Sequence, residues 1–339
     1  MERVTLNTIA EVCGLSRPTI SQILNGKGWY REDTRARVLA AADRLGYRKN
    51  AAAQSVITGS MHTIGLMLAP SDRDSLLPGG LLAGIEAGVG QHGFLLSLAR
   101  LPDRDELANG YTPRILEQIV ADGLLVLYNA RVPEAVASMI DSHRVPVIWL
   151  NDRRPSNAIY PDDVMAGRVA SECLIEAGHT RIAWCSLTWA RGVKPGHYSG
   201  VDRREGYLAA MRAARLEPRE LVPEQQLVPD QRVAWLRAQL AQPDRPTGLV
   251  CYSGEIAHAA YAAALGLGLV PGVDVSIVSI DEKAKSPIGM TFTTACLPFP
   301  AMGRLAVKQL ITRLDDDAVA DSTAVPVELV PGDTVGPPA

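Results

Sequence analysis

From residue 62 onward, short apolar runs of four to six residues alternate with segments of helical periodicity, and this alternation constrains the fold more than any other feature. The predicted strands are Thr63–Leu68, Phe94–Ala99, Gly123–Tyr128, Val147–Leu150, Arg181–Ser186, Gly248–Tyr252 and Val275–Ile280. The predicted helices lie near 79–92, 113–121, 133–143, 164–178, 202–214, 230–241, 254–267 and 299–313. Apolar strands separated by helices are typical of parallel sheets covered on both faces. Because one small sheet cannot hold so many units, we expect an α/β body of two doubly wound parallel-sheet lobes, with 151–161 as a loop crossing between them.

Length and composition are those of an ordinary globular protein. The 339 residues suffice for two or three domains, and 47% of them are hydrophobic and 21% charged. The sequence has no apolar run of about 18 residues and no basic-then-apolar start, which predicts a cytoplasmic protein without a membrane segment. The five cysteines are scattered without a CxxC pair, so we expect small buried thiols in a reducing compartment and no metal site.

The N-terminal residues have the pattern of a small all-α helix-turn-helix head. Gly14 ends a first short helix, Ser16 caps a second, and Gly46 follows a third helix over 32–45. The predicted buried faces consist of Leu6, Ile9, Ala10 and Val12, then Thr19, Ile20, Ile23 and Leu24, then Val38, Leu39, Ala42 and Leu45. The pattern by itself fits any helical hairpin equally well.

The distribution of charge favours a DNA-binding role for this head. Residues 1–60 contain nine Lys or Arg and five acidic residues, a balance of +4, whereas the whole chain carries −3. The other 279 residues therefore carry −7. A basic head on an acidic body is typical of a DNA-binding module on a regulatory domain.

Many short motifs recur in an order and at spacings that resemble the LacI/GalR family of bacterial transcription regulators. In the head and linker they are Ile9-Ala10, Gly14-Leu15-Ser16, Thr19-Ile20-Ser21, Thr34-Arg35, Leu45-Gly46-Tyr47, and Asn50 with Ala53. In the body they are Ile64-Gly65-Leu66, Asp162-Asp163 with Gly167, Gly178-His179, Arg203 with Gly206-Tyr207, Val270-Pro271, Asp281-Glu282 and Thr293-Thr294. The resemblance runs from residue 4 to about residue 330.

The resemblance implies a domain order and a function. It implies a head over 1–46, a hinge helix or linker over 47–61, a first lobe from 62–160 and 290–320, and a second lobe from 161–289 and 321–339. The lobes would resemble periplasmic binding proteins and hold a small effector, a sugar or sugar derivative, between them. We expect a repressor that binds a palindromic operator as a homodimer. A dimer is expected and not a tetramer, because the Pro/Gly-rich end lacks the leucine heptad of family tetramers. We expect the tail 331–339 to be frayed.

The start of the second helix should contact the major groove. There Arg17 can donate two hydrogen bonds to guanine, or contact a phosphate instead, and Gln22 can pair with adenine N6 and N7. In the family a hinge leucine enters the minor groove, and Val56 stands at that position here, where it could wedge or only pack hinge against hinge. The remaining predicted DNA-contacting residues, several of which could equally be helix caps, are Thr5, Ser16, Pro18, Thr19, Ser21, Asn25, Thr34, Tyr47, Asn50 and Ala53.

Effectors of open α/β sheets bind at the carboxyl ends of the strands. By that rule and by resemblance, Arg203 and Asp281 should bind ligand hydroxyls or carboxylates, although such a pair could also bridge loops. The other predicted effector-binding residues are Ser71, Asp72, Tyr128, Asn151, Asp152, Trp189 and Ser253. The loop Leu187–Ser199 carries Trp189 together with basic side chains, so an acidic or phosphorylated ligand is an alternative to a neutral sugar.

Two other functions are less consistent with the sequence. A stand-alone sugar-binding protein would leave residues 4–56 unexplained. An enzyme is disfavoured because the sequence has no GxxxxGK[ST], strand-linked GxGxxG, HExxH or GxSxG motif, and we expect no cofactor. His179, which precedes a strand, is predicted to be structural.

Overall fold

The structure, a computed structural model, describes residues 4–49, 55–56, 58–70, 77–128, 132–286, 289–316 and 319–338. The chain divides into two compact units, Met1–Met61 and His62–Ala339, which we call the head and the body. Among the described helices, none is long and apolar enough to cross a membrane.

The head consists of α1 (Leu6–Cys13), α2 (Arg17–Leu24) and α3 (Glu32–Arg44), as the sequence predicts. Thr5 caps α1 by accepting from the Thr8 amide, and Gly14 reverses the chain at a φ of 63° that favours glycine. The buried face of the head consists of Ile9, Cys13, Ile20, Ile23, Val38, Ala41 and Ala42.

Two of the predicted core residues are wrong, since Val12 and Leu39 are 50% and 45% exposed. The buried residues near them are Cys13 and Ala41, one and two positions further along their helices, because packing among the three helices and not hydrophobicity alone sets the buried stripe.

The first lobe of the body is built on a six-stranded parallel sheet with the order β11-β5-β4-β3-β1-β2. Its strands are β1 (Thr63–Leu68), β2 (Leu95–Arg100), β3 (Gly123–Leu127), β4 (Val147–Leu150), β5 (Ala158–Pro161) and β11 (Thr323–Val325). Its helices are α4 (Gly79–Gln91), α5 (Arg104–Ala108), α6 (Arg114–Glu117), α7 (Glu134–Ser142) and α12 (Phe299–Asp316).

The second lobe is built on a sheet with the order β12-β10-β9-β8-β6-β7, parallel except that β12 is antiparallel to β10. Its strands are β6 (Ile182–Cys185), β7 (Arg219–Leu221), β8 (Gly248–Cys251), β9 (Ser276–Asp281), β10 (Thr293–Cys296) and β12 (Glu328–Val330). Its helices are α8 (Asp163–Glu176), α9 (Ser199–Ala213), α10 (Pro229–Leu240) and α11 (Gly254–Leu265). The predicted fold class, a helical head with two parallel-sheet α/β lobes, is therefore confirmed.

The crossings between lobes differ in detail from those predicted. The segment 151–161 ends in β5 and is not a loop throughout. The expected assignment of 290–320 to the first lobe places β10 wrongly, because it pairs with β9 of the second sheet. The assignment of 321–339 to the second lobe likewise places β11 wrongly, because it pairs with β5. These strands have three or four residues and lack long apolar runs, so the sequence does not indicate which sheet they join.

The C-terminal tail is not frayed over its described part, contrary to the prediction. Thr334 is buried, its hydroxyl donates to the Ile277 carbonyl at 2.6 Å, and its carbonyl accepts from the Ile277 amide at 2.7 Å. Buried His179 hydrogen-bonds the Gly336 carbonyl through Nε2 at 2.9 Å, and its Nδ1 lies 2.9 Å from the Thr247 hydroxyl. Hydrogen bonds thus attach the tail to the second lobe, and His179 has the structural role predicted for it.

Two glycines bring the helices α8 and α9 into backbone contact. A Cβ added at Gly206 of α9 would lie 2.0 Å from the Val164 carbonyl oxygen, and one at Gly167 of α8 would lie 1.8 Å from the Arg203 carbonyl oxygen. Only glycine permits this approach. It places the first turn of α8 against α9, where two charged side chains meet.

Candidate functional site

The start of α2 is exposed on the head and rigidly capped. Ser16 accepts a hydrogen bond from the Thr19 amide at 3.3 Å, and the two hydroxyls lie 2.8 Å apart. Pro18 occupies the first turn, where no amide hydrogen is needed. Arg17, Pro18 and Gln22 are exposed. The helix therefore presents one guanidinium and one amide outward, while Ser16 and Thr19 serve as caps.

The other predicted DNA-contacting residues lie in different parts of the head unit. Thr5 is the α1 cap, Asn25 follows the last turn of α2, and Ser21 and Thr34 are half-buried. Tyr47 packs against the head core. Val56 is 86% exposed. Asn50 and Ala53 lie outside the described residues.

Gln22 has a partner that sequence reasoning missed. The hydroxyl of Tyr30, in the turn between α2 and α3, donates a hydrogen bond to Gln22 Oε1. Lys27, Arg31 and Arg35, which lie in or near the same turn, are also exposed.

In the body, Arg203 of α9 is the centre of a buried polar cluster. Its Nε donates to Asp163 Oδ1 at 2.6 Å and its Nη1 donates to the Tyr252 carbonyl at 2.7 Å. The guanidinium carbon also lies 4.9 Å from the centre of the Tyr252 ring. Burial is the largest influence and disfavours the charged form of Arg203, but Asp163, Tyr252 and Tyr198 together outweigh it and raise the pKa of the guanidinium.

Aromatic side chains line this cluster. The rings of Trp189 and Tyr252 meet edge to face with their centres 4.8 Å apart, and the centre of the Trp184 ring lies 6.2 Å from that of Tyr252. The Tyr252 hydroxyl lies 2.9 Å from the Ser199 hydroxyl. The result is an apolar wall with a guanidinium and a carboxylate beside it, an arrangement that suits ligands with both a ring face and hydroxyl groups.

The segment after β4 connects the lobes through this cluster. Asn151, in the left-handed region at a φ of 56°, accepts at its carbonyl from His197 Nε2 at 2.8 Å and at its side-chain oxygen from the Tyr198 hydroxyl at 3.2 Å. Burial lowers the pKa of His197. Burial and the nearby negative charge of Asp163 both raise the pKa of Tyr198. Asp152 instead pairs with Arg154 at 2.5 Å.

Asp281 and Ser253 form a second group at the ends of β9 and β8. Asp281 Oδ2 lies directly over Gly254 at the start of α11, where an added Cβ would be 1.6 Å away. Burial raises the pKa of Asp281. Next to it, Glu282 accepts a hydrogen bond from the Gly80 amide at the start of α4, so this carboxylate also joins the two lobes.

The predicted effector-binding residues are thus only partly brought together. Arg203, Trp189 and Asn151 converge on one cluster, while Tyr128 is buried in the core of the first lobe. Ser71 and Asp72 lie outside the described residues.

Sequence reasoning did not assign Asp163 or Tyr252 to the site, and it placed His197 near the cleft only as one of the basic residues of the loop Leu187–Ser199. The acidic pair before α8 was a usable signal for Asp163, which is buried and whose Oδ2 receives no hydrogen bond from the described residues. The described residues contain no cluster of His, Cys, Asp or Glu suited to a metal ion.

Known proteins resemble both units. A model of the lacI family of bacterial regulatory proteins matches residues 5–50, and a model of the periplasmic binding protein-like domain matches residues 171–335. The HTH-type transcriptional repressor PurR of Klebsiella pneumoniae (strain 342) is 27% identical over 321 residues, covering 91% of this chain and 90% of the relative.

Solved structures show the same fold. The Lac repressor dimer bound to operator and the anti-inducer ONPF has a TM-score of 0.77 at 23% identity, covering 99% of this chain and 100% of that one. The CelR–cellobiose complex, a transcriptional regulator, has a TM-score of 0.65 at 23% identity, covering 98% of this chain and 100% of that one. With its lacI-type head and its periplasmic-binding-protein-like body, the chain belongs to the LacI family of bacterial regulatory proteins.

Proposed function

We propose that the protein is a transcriptional repressor that binds a palindromic operator as a homodimer and is controlled by a small molecule bound between the lobes. The observation that carries the proposal is the capped helix α2, which presents Arg17 and Gln22 outward from a head that matches the lacI family model. A helix of this kind enters the major groove, with its first residues on base edges. Arg17 would donate to guanine O6 and N7.

The surface of the first lobe supports a dimer. β2 is an edge strand, and Leu95 and Leu98 on it are 64% and 59% exposed. An exposed apolar edge strand favours association, because unpaired backbone groups and apolar side chains lie side by side. Pairing two copies would provide the two heads that a palindrome requires.

The effector would bind at the cluster of Arg203, Trp189 and Tyr252. We propose a carbohydrate or carbohydrate derivative, since an aromatic wall stacks on a sugar ring while Asp163 Oδ2 accepts from a hydroxyl group. The relative in complex with cellobiose is consistent with this ligand class. Arg191 of the same loop pairs with Glu224 at 2.7 Å, which leaves fewer basic groups for a phosphorylated ligand.

Coupling would run through the contacts between lobes. Glu282 at Gly80 and His197 at Asn151 join the lobes beside the cluster, so an effector that changes these contacts changes the lobe arrangement. A coupling free energy of about 1–3 kcal/mol is typical of such systems and acts equally in both directions. We propose no enzymatic activity for the protein, in keeping with relatives that are repressors.

The experiment is selection of random duplexes by the full chain at one fixed salt concentration, followed by a metabolite screen on the selected duplex. We expect an enriched inverted repeat, and release or tightening by a sugar-class compound. Binding to a sugar without any enriched sequence would indicate a stand-alone binding protein and refute the repressor assignment.

A further inference from the structure

The orientation of the Gln22 amide is set from within the head. Gln22 is exposed on α2, and its Oε1 accepts a hydrogen bond from the hydroxyl of half-buried Tyr30. The oxygen and nitrogen of a primary amide lie on opposite sides of its carbon. An oxygen directed at the head's own tyrosine therefore turns the nitrogen, with its two hydrogens, away from that tyrosine.

The turn between α2 and α3 is shaped to hold this contact. Gly28 has a φ of 78°, and a Cβ added there would lie 2.9 Å from Tyr30 Cε2 and 3.4 Å from Gln22 Oε1. The tyrosine ring and the amide oxygen thus occupy the space that a side chain at this position would take. Glycine is needed here both for the backbone angle and for the room it leaves.

Adenine and guanine present different hydrogen-bonding groups to a glutamine amide in the major groove. Adenine requires an oxygen to accept from N6 and a nitrogen to donate to N7, whereas guanine offers two acceptors, O6 and N7. The amide oxygen has a second lone pair, but because it is directed at Tyr30, the hydrogens of the nitrogen are the groups turned towards a base edge. An amide in this orientation matches guanine better than adenine.

We propose that Tyr30 is a positioning residue for sequence specificity, which makes Gln22 a hydrogen-bond donor towards DNA and selects guanine over adenine at the base pair it contacts. The proposal rests on the proposed reading of the operator by α2, and it names one base preference within that function. It replaces the adenine contact expected from the residue type alone.

The test is selection of duplexes by the full chain, comparing wild type with Tyr30→Phe, which removes only the hydroxyl. Tyr111→Phe is the matched control, because Tyr111 is an exposed tyrosine of the body. We expect wild type and control to select guanine at one position of each half-site. In Tyr30→Phe the freed Oε1 should accept from adenine N6, and the guanine-to-adenine ratio there should fall at least about fivefold, the equivalent of one neutral hydrogen bond.

The outcomes separate this proposal from the general function. An unchanged ratio in Tyr30→Phe, or a wild-type preference for cytosine or adenine at this position, overturns the role of Tyr30. A lack of any sequence preference in wild type counts against the operator-binding function itself. Gly28→Ala is a second variant that displaces the tyrosine ring and should shift the ratio in the same direction, so the test stands even if Tyr30→Phe unfolds the head.

Discussion

Replacing Asp163 by asparagine should destabilise the body by about 3–5 kcal/mol, because it leaves the buried guanidinium of Arg203 without its counter-charge. The side chains of Asp163 and Arg203 are 0% and 9% exposed, and their closest atoms are 2.6 Å apart. Both side chains are almost fully excluded from solvent, so solvent screening compensates little of the loss. With the Tyr252 carbonyl as the remaining acceptor seen in the structure, the charge stays largely uncompensated.

The assay is thermal unfolding of the full chain, followed by fluorescence of the body tryptophans. At about 2 °C per kcal/mol for a unit of this size, Asp163→Asn should lower the Tm by about 6–10 °C. Glu224→Gln is the matched control, because its pair with Arg191 is nearly as short, 2.7 Å, but exposed. The control should cost less than about 1 kcal/mol.

A double variant distinguishes the cost of leaving one buried charge unpaired from the cost of burying the pair. Asp163→Leu combined with Arg203→Met removes both charges and should recover most of the stability lost in Asp163→Asn, while effector binding is lost. The reasoning is refuted if Asp163→Asn costs no more than Glu224→Gln, or if the double variant is less stable than the single one.

Four further predictions follow from other parts of the molecule. Val56→Leu should raise operator affinity about fourfold for each hinge, or about fifteenfold for a dimer, since one buried methylene contributes about 0.8 kcal/mol. Unchanged affinity and DNA bending in a titration would mean that Val56 is not a wedge. Gly206→Ala, whose Cβ would meet the Val164 oxygen at 2.0 Å, should cost about 1–3 kcal/mol in urea unfolding and weaken effector binding, and a neutral result would contradict the close helix contact. Thr334→Val removes a hydroxyl that makes two hydrogen bonds, and it should lower the free energy of unfolding by about 1–3 kcal/mol in urea. No measurable loss would mean that the tail does not stabilise the body. Burial lowers the pKa of His179, so the unfolded state binds the proton more readily and the free energy of unfolding should fall as the pH drops below about 6.5. His179→Gln should reduce the slope of unfolding free energy against pH by up to about 1.4 kcal/mol per pH unit. An unchanged slope would exclude His179 as its source.

The fold was largely predictable because its central strands are continuous apolar runs. The predicted strands Thr63–Leu68 and Val147–Leu150 coincide with β1 and β4, and the other predicted central strands differ from those observed by one residue at one or both ends. The strands β7, β11 and β12 were missed because an edge strand of three residues is too short to show an alternation of apolar and polar residues. Their positions depend on backbone pairing with distant segments, which sequence patterns do not encode.

The site was less predictable because it depends on helix contact. Arg203 and Trp189 were predicted, but the pairing of Arg203 with Asp163 follows from the approach of α8 and α9 at two glycines. The sequence marks those glycines without indicating what meets across them. The contact of Tyr30 with Gln22 joins α2 to the following turn, and neither residue type signals it.

The most direct test of the central claim is the ratio of affinities of the full chain for its selected palindrome and for a scrambled duplex at one fixed salt concentration. A dimer that reads bases through α2 should favour the palindrome by about a thousandfold or more, and Arg17→Ala should lower that preference by about five- to a hundredfold for each half-site. A ratio near one in wild type, or an equal loss of affinity for both duplexes in Arg17→Ala, would contradict the account.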